Sequence, residues 1–229
     1  MTIRAKLYTA IVVVVAGLAL TAGVGIAAMG RLGDRFDAVE QASNARALAL
    51  QLKYDVTDFN GWQTAYGYDN GKSRPIYLAS FARFKRDLAQ ARAELRLGQE
   101  QAILDRIERT TDAFARLDDA SWAALQAGRP GDVKRILLGP ELVMFQRAAA
   151  ASEALAAFEA AQTAKQDKAF KDARTDALRL LVLCSIGAGL LVFILLLTAS
   201  DLARTAEGRL QDGDVTEPSE EPRLPERTD

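Results

Sequence analysis

The chain has no histidine and a single cysteine, and these two scarcities remove most of the familiar chemistry of protein sites. Without imidazole there is no such general base, metal ligand or phosphoacceptor. A histidine kinase, a Ser–His–Asp triad, a Cys–His pair and a zinc site are all excluded. Cys184 has no intrachain partner for a disulfide and lies inside an apolar run. A thiol in hydrocarbon is not readily ionised, so it reads as a small packing residue. Excess charge of one sign is also absent. The formal net charge is −1, which argues against nucleic acid as a partner, since that would call for a clustered surplus of Lys and Arg. From residue 30 to 177 there are 22 basic and 21 acidic residues, interspersed as on solvated helix faces. No constellation supports catalysis, and no cofactor or metal is expected.

What the chain does have is two long apolar runs. The first covers Leu7 to Met29 without a charge, and the second Leu180 to Ser200, within a span of 178–200 that includes Arg179 at its edge. A bilayer core needs roughly 20 helical residues to cross, so both runs are long enough. Arg4 and Lys6 precede the first run as they would a signal peptide. A cleavable apolar core is usually about 7 to 15 residues long, so the run reads as an uncleaved anchor although Ala27 and Ala28 stand near its end. The second run carries Gly187 and Gly189, which allow close helix approach in lipid. Arg4 and Lys6 before the first span and Arg204 and Arg209 after the second place both termini in the cytoplasm, with 30–177 outside. The expected location is the cytoplasmic membrane, and the bilayer is the first partner.

The intervening segment reads as four helices. Leu48, Leu52, Val56, Phe59, Trp62 and Tyr66 recur at helical spacing, so the first span runs on into a helix ending near Tyr68. Asp69-Asn70-Gly71 closes it and reverses the chain, and Pro75 suits a helix start because its missing N–H has no partner there. Tyr77, Phe81, Phe84, Leu88, Ala91 and Leu95 then follow a heptad seam, which Leu97-Gly98 ends. A third helix carries Ile103, Ile107, Phe114, Leu117 and Ser121 and stops before Gly128. Asp132 can cap a short piece through Leu138. Gly139-Pro140 breaks the chain, and an alanine-rich last helix starts at Pro140 and runs through Phe170 into the second span. The fold class is therefore all-α: a membrane-anchored antiparallel up-down-up-down four-helix bundle between two transmembrane helices. The alanine seam buries little area per residue, which favours a homodimer.

Two stretches carry a likeness to a known family. One is Asp55-Val-Thr-Asp58-Phe-Asn-Gly-Trp-Gln-Thr-Ala-Tyr-Gly-Tyr-Asp69; the other is Trp122-Ala-Ala-Leu-Gln-Ala-Gly-Arg-Pro-Gly-Asp132, followed by Leu138-Gly-Pro-Glu141. Over roughly residues 1–205 the chain resembles the four-helix-bundle sensory module of methyl-accepting chemotaxis receptors. The resemblance implies extracytoplasmic sensing by a dimeric bundle, with signals passed by small movements of the spans. Family members continue into a HAMP linker and a long cytoplasmic coiled coil. Here 29 residues follow Ser200. Asp201 to Leu210 can add one or two helical turns, and the acidic, proline-punctuated remainder of the 201–229 tail has the composition of a disordered segment. The expected output therefore passes through a partner, either a full-length chemoreceptor or another membrane signalling protein.

The candidate ligand site is the run Asn60, Trp62, Gln63, Tyr66 and Asp69 with Arg74, beside Tyr68 and Lys72. Aromatic faces with amide, carboxylate and cationic groups suit an unknown small polar ligand or an amine. The competing reading makes Trp62 and Tyr66 core and gives Asn60, Gln63 and Asp69 backbone-satisfying roles near the turn. Gly61 costs its helix about 1 kcal/mol relative to Ala, which suits a close packing contact or a local deformation. Trp122 reads as core. Asp55 with Asp58 and Asp118 with Asp119 lack the oxygen-rich loop of a calcium site and read as solvated faces. The function expected is a chemoreceptor-like membrane sensor. The alternatives are a non-sensing membrane protein that pairs with a receptor, and a truncated receptor remnant.

Overall fold

The structure, a computed structural model, describes the backbone of residues 3–213 and the side chains of residues 8–201 and of Arg204. Among the described residues there are helices and turns and no strand, so the fold is all-α. Helix α1 covers Ile3–Tyr68, α2 Arg74–Glu94, α3 Gly98–Gln126, α4 Pro130–Ile136 and α5 Leu142–Gly213, with a π-helical turn over Leu137–Glu141. Helix α5 thus continues beyond the one or two turns expected after Asp201. The rest of the acidic tail, from residue 214, lies outside the described residues. The chain divides into two compact units, one of residues 32–173 and one made of the residues up to Arg31 with those from Arg174 onward.

In the unit of residues 32–173 a single apolar cluster takes side chains from four helices. Helix α1 supplies Leu52, Val56, Phe59 and Tyr66, α2 supplies Tyr77, Phe84, Leu88 and Ala91, α3 supplies Leu104, Ile107 and Phe114, and α5 supplies Ala148, Ala151, Leu155 and Ala156. The Phe59 ring is the meeting point. Its centroid lies 5.2 Å from those of Phe81 and Phe84 and 5.3 Å from that of Phe114. Each such buried side chain contributes about 1.5–3 kcal/mol through the apolar area it removes from water. Alanines on α5 contribute less, and let that helix approach closely.

Several boundaries differ from the sequence expectation, each for a local reason. The stripe on α1 continues 52, 56, 59, 63, 66, so Gln63 takes the interior place at 1 % exposure while Trp62 turns outward at 37 %. Helix α2 ends at Glu94 rather than at Leu97-Gly98. Glu100 draws the start of α3 forward, because its carboxylate accepts the Leu97 N–H at 2.7 Å and so satisfies a donor the helix leaves free. The last helix begins at Leu142 and not at Pro140. Gly139 takes a non-helical φ of −109° and ψ of −108°, and Pro140 has no N–H to donate, so the backbone widens into the π turn there. Gly61 shows neither of the features expected of it. A Cβ added at Gly61 would meet nothing within 4 Å, and α1 runs through it unbroken.

The second unit contains the two apolar stretches. α1 and α5 each hold a segment long and apolar enough to cross a membrane. Tyr8, Leu20, Ile26, Leu183, Phe193 and Leu196 are all more than half exposed. The stretches approach each other at Gly17, where an added Cβ would stand 3.4 Å from Leu191 Cδ1.

Candidate functional site

A polar layer crosses the 32–173 unit where α1 ends, and every side of it comes from a different element. Helix α1 presents Gln63 and Tyr66 one turn apart. The turn after it is held by Asn70 and Gly71 at positive φ, 56° and 90°, with the Gly71 N–H donating to Tyr66 O at 2.8 Å in a helix-closing bond. Glycine is required at 71, because a Cβ there would stand 2.7 Å from Trp122 Cζ3. Gly67 packs on the π turn, where an added Cβ would stand 2.7 Å from Leu137 Cδ1 and that side chain would have to shift. The turn delivers Arg74 and Tyr77 at the start of α2. Helix α3 brings Asp118, Ser121 and Trp122, and the π turn brings Glu141.

Asp118 is the hub. It accepts the Tyr66 hydroxyl and the Arg74 guanidinium at 3.2 Å, and the Tyr77 hydroxyl lies beside it. Asp118 is 2 % exposed. Burial pushes its carboxyl up, while Tyr66 and Arg74 pull it back toward the charged form. Burial first, and then the Asp118 charge, push both tyrosine hydroxyls far upward, so they act as donors. The Arg74 guanidinium sits 4.3 Å over the Trp122 ring, 5.1 Å over Tyr66 and 5.8 Å over Tyr77, a cation held by three aromatic faces and a carboxylate.

Glu141 differs from Asp118 although it is buried in the same layer. It is 1 % exposed, and neither carboxylate oxygen has a hydrogen-bond partner. Burial, with Asp118 as a second cause, pushes its carboxyl up to about 8. The Gln63 amide faces it closely enough to oppose that rise without reaching hydrogen-bond geometry, and Gln63 Nε2 is itself unpartnered, as is the buried Ser121 Oγ.

A second polar layer lies three turns back along α1. Asp55 Oδ1 accepts Arg83 Nε at 3.2 Å and Gln51 Nε2 at 3.0 Å. Asp58 accepts Arg83 Nη2 at 2.6 Å and the Ser80 hydroxyl. Burial and the neighbouring Asp87 push the Asp55 carboxyl up to about 6. Another buried acid, Glu159, is pushed up to about 7 by burial and by Glu100.

The structure brings three of the candidate residues together, namely Gln63, Tyr66 and Arg74. Trp62 is partly exposed, away from the layer. Asp69 holds the turn, accepting the Ser73 N–H at 3.3 Å and its hydroxyl at 2.5 Å, bonds that lower its pKa. Asn60 is half-buried, and its backbone carbonyl accepts the Thr64 hydroxyl at 2.9 Å. Asp55 and Asp118 are buried, at 0 % and 2 % exposure, and are not solvated faces. The seam on α3 carried the signal for this: from Phe114, steps of four and three reach Asp118 and Ser121, placing a carboxylate on the apolar side. Glu141 had no periodic signal, since only the π turn directs it inward. Trp122 packs against the core.

No protein-family model matches this chain, and no curated protein or solved structure matches it significantly. Among the described residues no cluster of three or more acidic, histidine or cysteine side chains is gathered to hold a metal.

Proposed function

We propose that the chain is a membrane-bound, chemoreceptor-like sensory protein. Its 30–177 segment is an antiparallel up-down-up-down four-helix bundle on the outer side of the cytoplasmic membrane, anchored by the apolar stretches at 7–29 and 178–200, with both termini inside. It binds a small ligand outside and signals through a partner protein.

The observation that carries this reading is the polar layer of Gln63, Tyr66, Arg74, Asp118 and Glu141 inside an apolar core. Burying polar groups without partners costs free energy, and an all-apolar layer would fold at least as well. A layer built from α1, α2, α3 and the π turn also lets one ligand bias the positions of those elements together. The sequence likeness to chemoreceptor sensory modules supports the same reading.

The homodimer has a surface to use. Leu50, Tyr54, Gly61 and Tyr68 follow heptad steps along α1, and Leu50, Tyr54 and Tyr68 are 46 %, 58 % and 75 % exposed. An exposed seam of this period suits a second helix. The same seam favours the alternative in which the bundle pairs with a full-length receptor and senses nothing. Cysteine crosslinking at positions 50 and 54 in native membranes separates the two. Self-pairing supports the homodimer, and capture of a different membrane protein alone supports the alternative. Sensing itself is tested by a thermal-stability screen of the detergent-solubilised full chain against small polar molecules. A folded sample that none of them stabilises would overturn it.

A further inference from the structure

We propose that the interior beside Glu141 is a binding site for a small monovalent cation that donates N–H hydrogen bonds, ammonium or a short primary alkylammonium. This names the ligand class for the sensory reading and rests on it.

The chemistry of the layer is lopsided. A carboxylate only accepts hydrogen bonds, and both Glu141 oxygens are buried and unpartnered. Arg74 is already committed to Asp118 at 3.2 Å and to Asp119 at 4.0 Å. Gln63 faces Glu141, and rotation of its amide exchanges a donor for an acceptor. Ser121, whose buried hydroxyl is also unpartnered, lies one turn beyond Asp118 on the same face of α3. Once Glu141 gives up its proton, the layer offers several acceptors and a negative charge without a counter-ion.

An anion would meet Glu141 and Asp118. A neutral polyol can supply donors but leaves the charge uncompensated. Divalent calcium asks for six to eight oxygen ligands, more than this layer gathers. An ammonium head supplies donors and charge together. The aromatic faces of Tyr66, Tyr77 and Trp122 are covered by Arg74, which limits the guest to a small one. The segment that carries Glu141 lies near the surface, since Leu138 and Leu142 on either side of Gly139–Glu141 are 56 % and 39 % exposed.

A proton competes for the same place. With Asp118 beside it, Tyr66 and Tyr77 close by and Gln63 opposite, the Glu141 carboxyl is pushed up to about 8 by burial. At neutral pH the empty site holds a proton, and the cation displaces it.

The test uses the full chain in detergent micelles, with ammonium chloride and methylammonium chloride compared against sodium and potassium chloride at equal ionic strength. The two ammonium salts should raise Tm by several degrees beyond the alkali salts. Their half-saturating concentration should fall about tenfold between pH 6 and pH 7 as the competing proton is removed. Glu141→Gln should abolish the response while Trp62→Ala keeps it. An equal shift with potassium, or a response retained in Glu141→Gln, would overturn the inference. If that variant fails to fold, proton release from the wild-type chain on adding ammonium at pH 7 decides, and no release overturns it. Stabilisation by uncharged or acidic molecules but not by ammonium would sink the cation site and leave the sensory reading standing. A response neither to these salts nor to any molecule of the small-polar-molecule screen would remove both.

Discussion

The two polar layers on α1 are made of similar parts and end in different states. Each gathers two acids and one arginine: Asp55 and Asp58 with Arg83, and Asp118 and Glu141 in the layer of Arg74. In the first layer Arg83 is 40 % exposed and reaches both Asp55 and Asp58, so one guanidinium serves both acids and only the buried Asp55 Oδ2 is left without a partner. In the second Arg74 is 12 % exposed and is held by Asp118, Asp119 and three rings, leaving Glu141 alone. The difference lies in chain direction. Arg83 projects from mid-helix toward solvent, whereas Arg74 follows a tight turn that folds it inward under Trp122. An open layer tolerates imbalance cheaply; a sealed one keeps it as an unmet demand for a proton or a guest.

The comparison can be broken most severely at Asp118. Replacing it with Ala leaves a buried guanidinium and the Tyr66 hydroxyl without their acceptor, and should cost about 3–5 kcal/mol in urea unfolding. Gly71→Ala attacks the same layer from the turn. At a φ of 90° with a Cβ 2.7 Å from Trp122, the variant should lose about 2 kcal/mol or more by the same measurement. Glu141→Gln should go the other way, gaining about 1–3 kcal/mol at pH 8.

That gain has a definite pH dependence. The Glu141 carboxyl is raised from 4.5 to about 8, so the native state holds its proton longer than the unfolded chain. Its contribution is complete below about pH 4.5 and is lost as pH rises through about 8. Asp55, raised to about 6, and Glu159, raised to about 7, act in the same sense. The wild-type chain should lose stability from pH 5 to 8 in thermal melts, and Glu141→Gln should flatten the upper half of that fall. In the open layer Arg83→Ala should cost only about 1–2 kcal/mol, because Asp58 is partly exposed and the buried Asp55, raised to about 6, can take up a proton. A loss as large as that of Asp118→Ala would erase the distinction between the layers. Gly61→Ala, on the exposed face between them, should stabilise the helix by about 0.5–1 kcal/mol.

Much of the helical fold was legible in the sequence. The α2 seam from Tyr77 to Leu95, with Phe81 only partly covered, and the α1 stripe from Leu52 to Phe59 are buried as their periods require. Gln63 was harder, because the aromatic Trp62 beside it competes for the same place in any hydrophobicity count. Only the strict alternation of four and three decides for position 63. Of the candidate site, Gln63, Tyr66 and Arg74 meet, and their partners Asp118 and Glu141 come from 52 and 75 positions beyond Tyr66 in the chain.

Composition and period by themselves determined an all-helical chain with two apolar stretches, no imidazole chemistry and no intrachain disulfide, because those properties depend on which residues occur and how often they recur. Tertiary structure alone decided which acids are buried, which arginine is sealed and which carboxylate is left unpartnered. Those outcomes depend on helices distant in sequence arriving at one level, and on Gly71 and Gly139 bending the backbone so that Arg74 and Glu141 point inward.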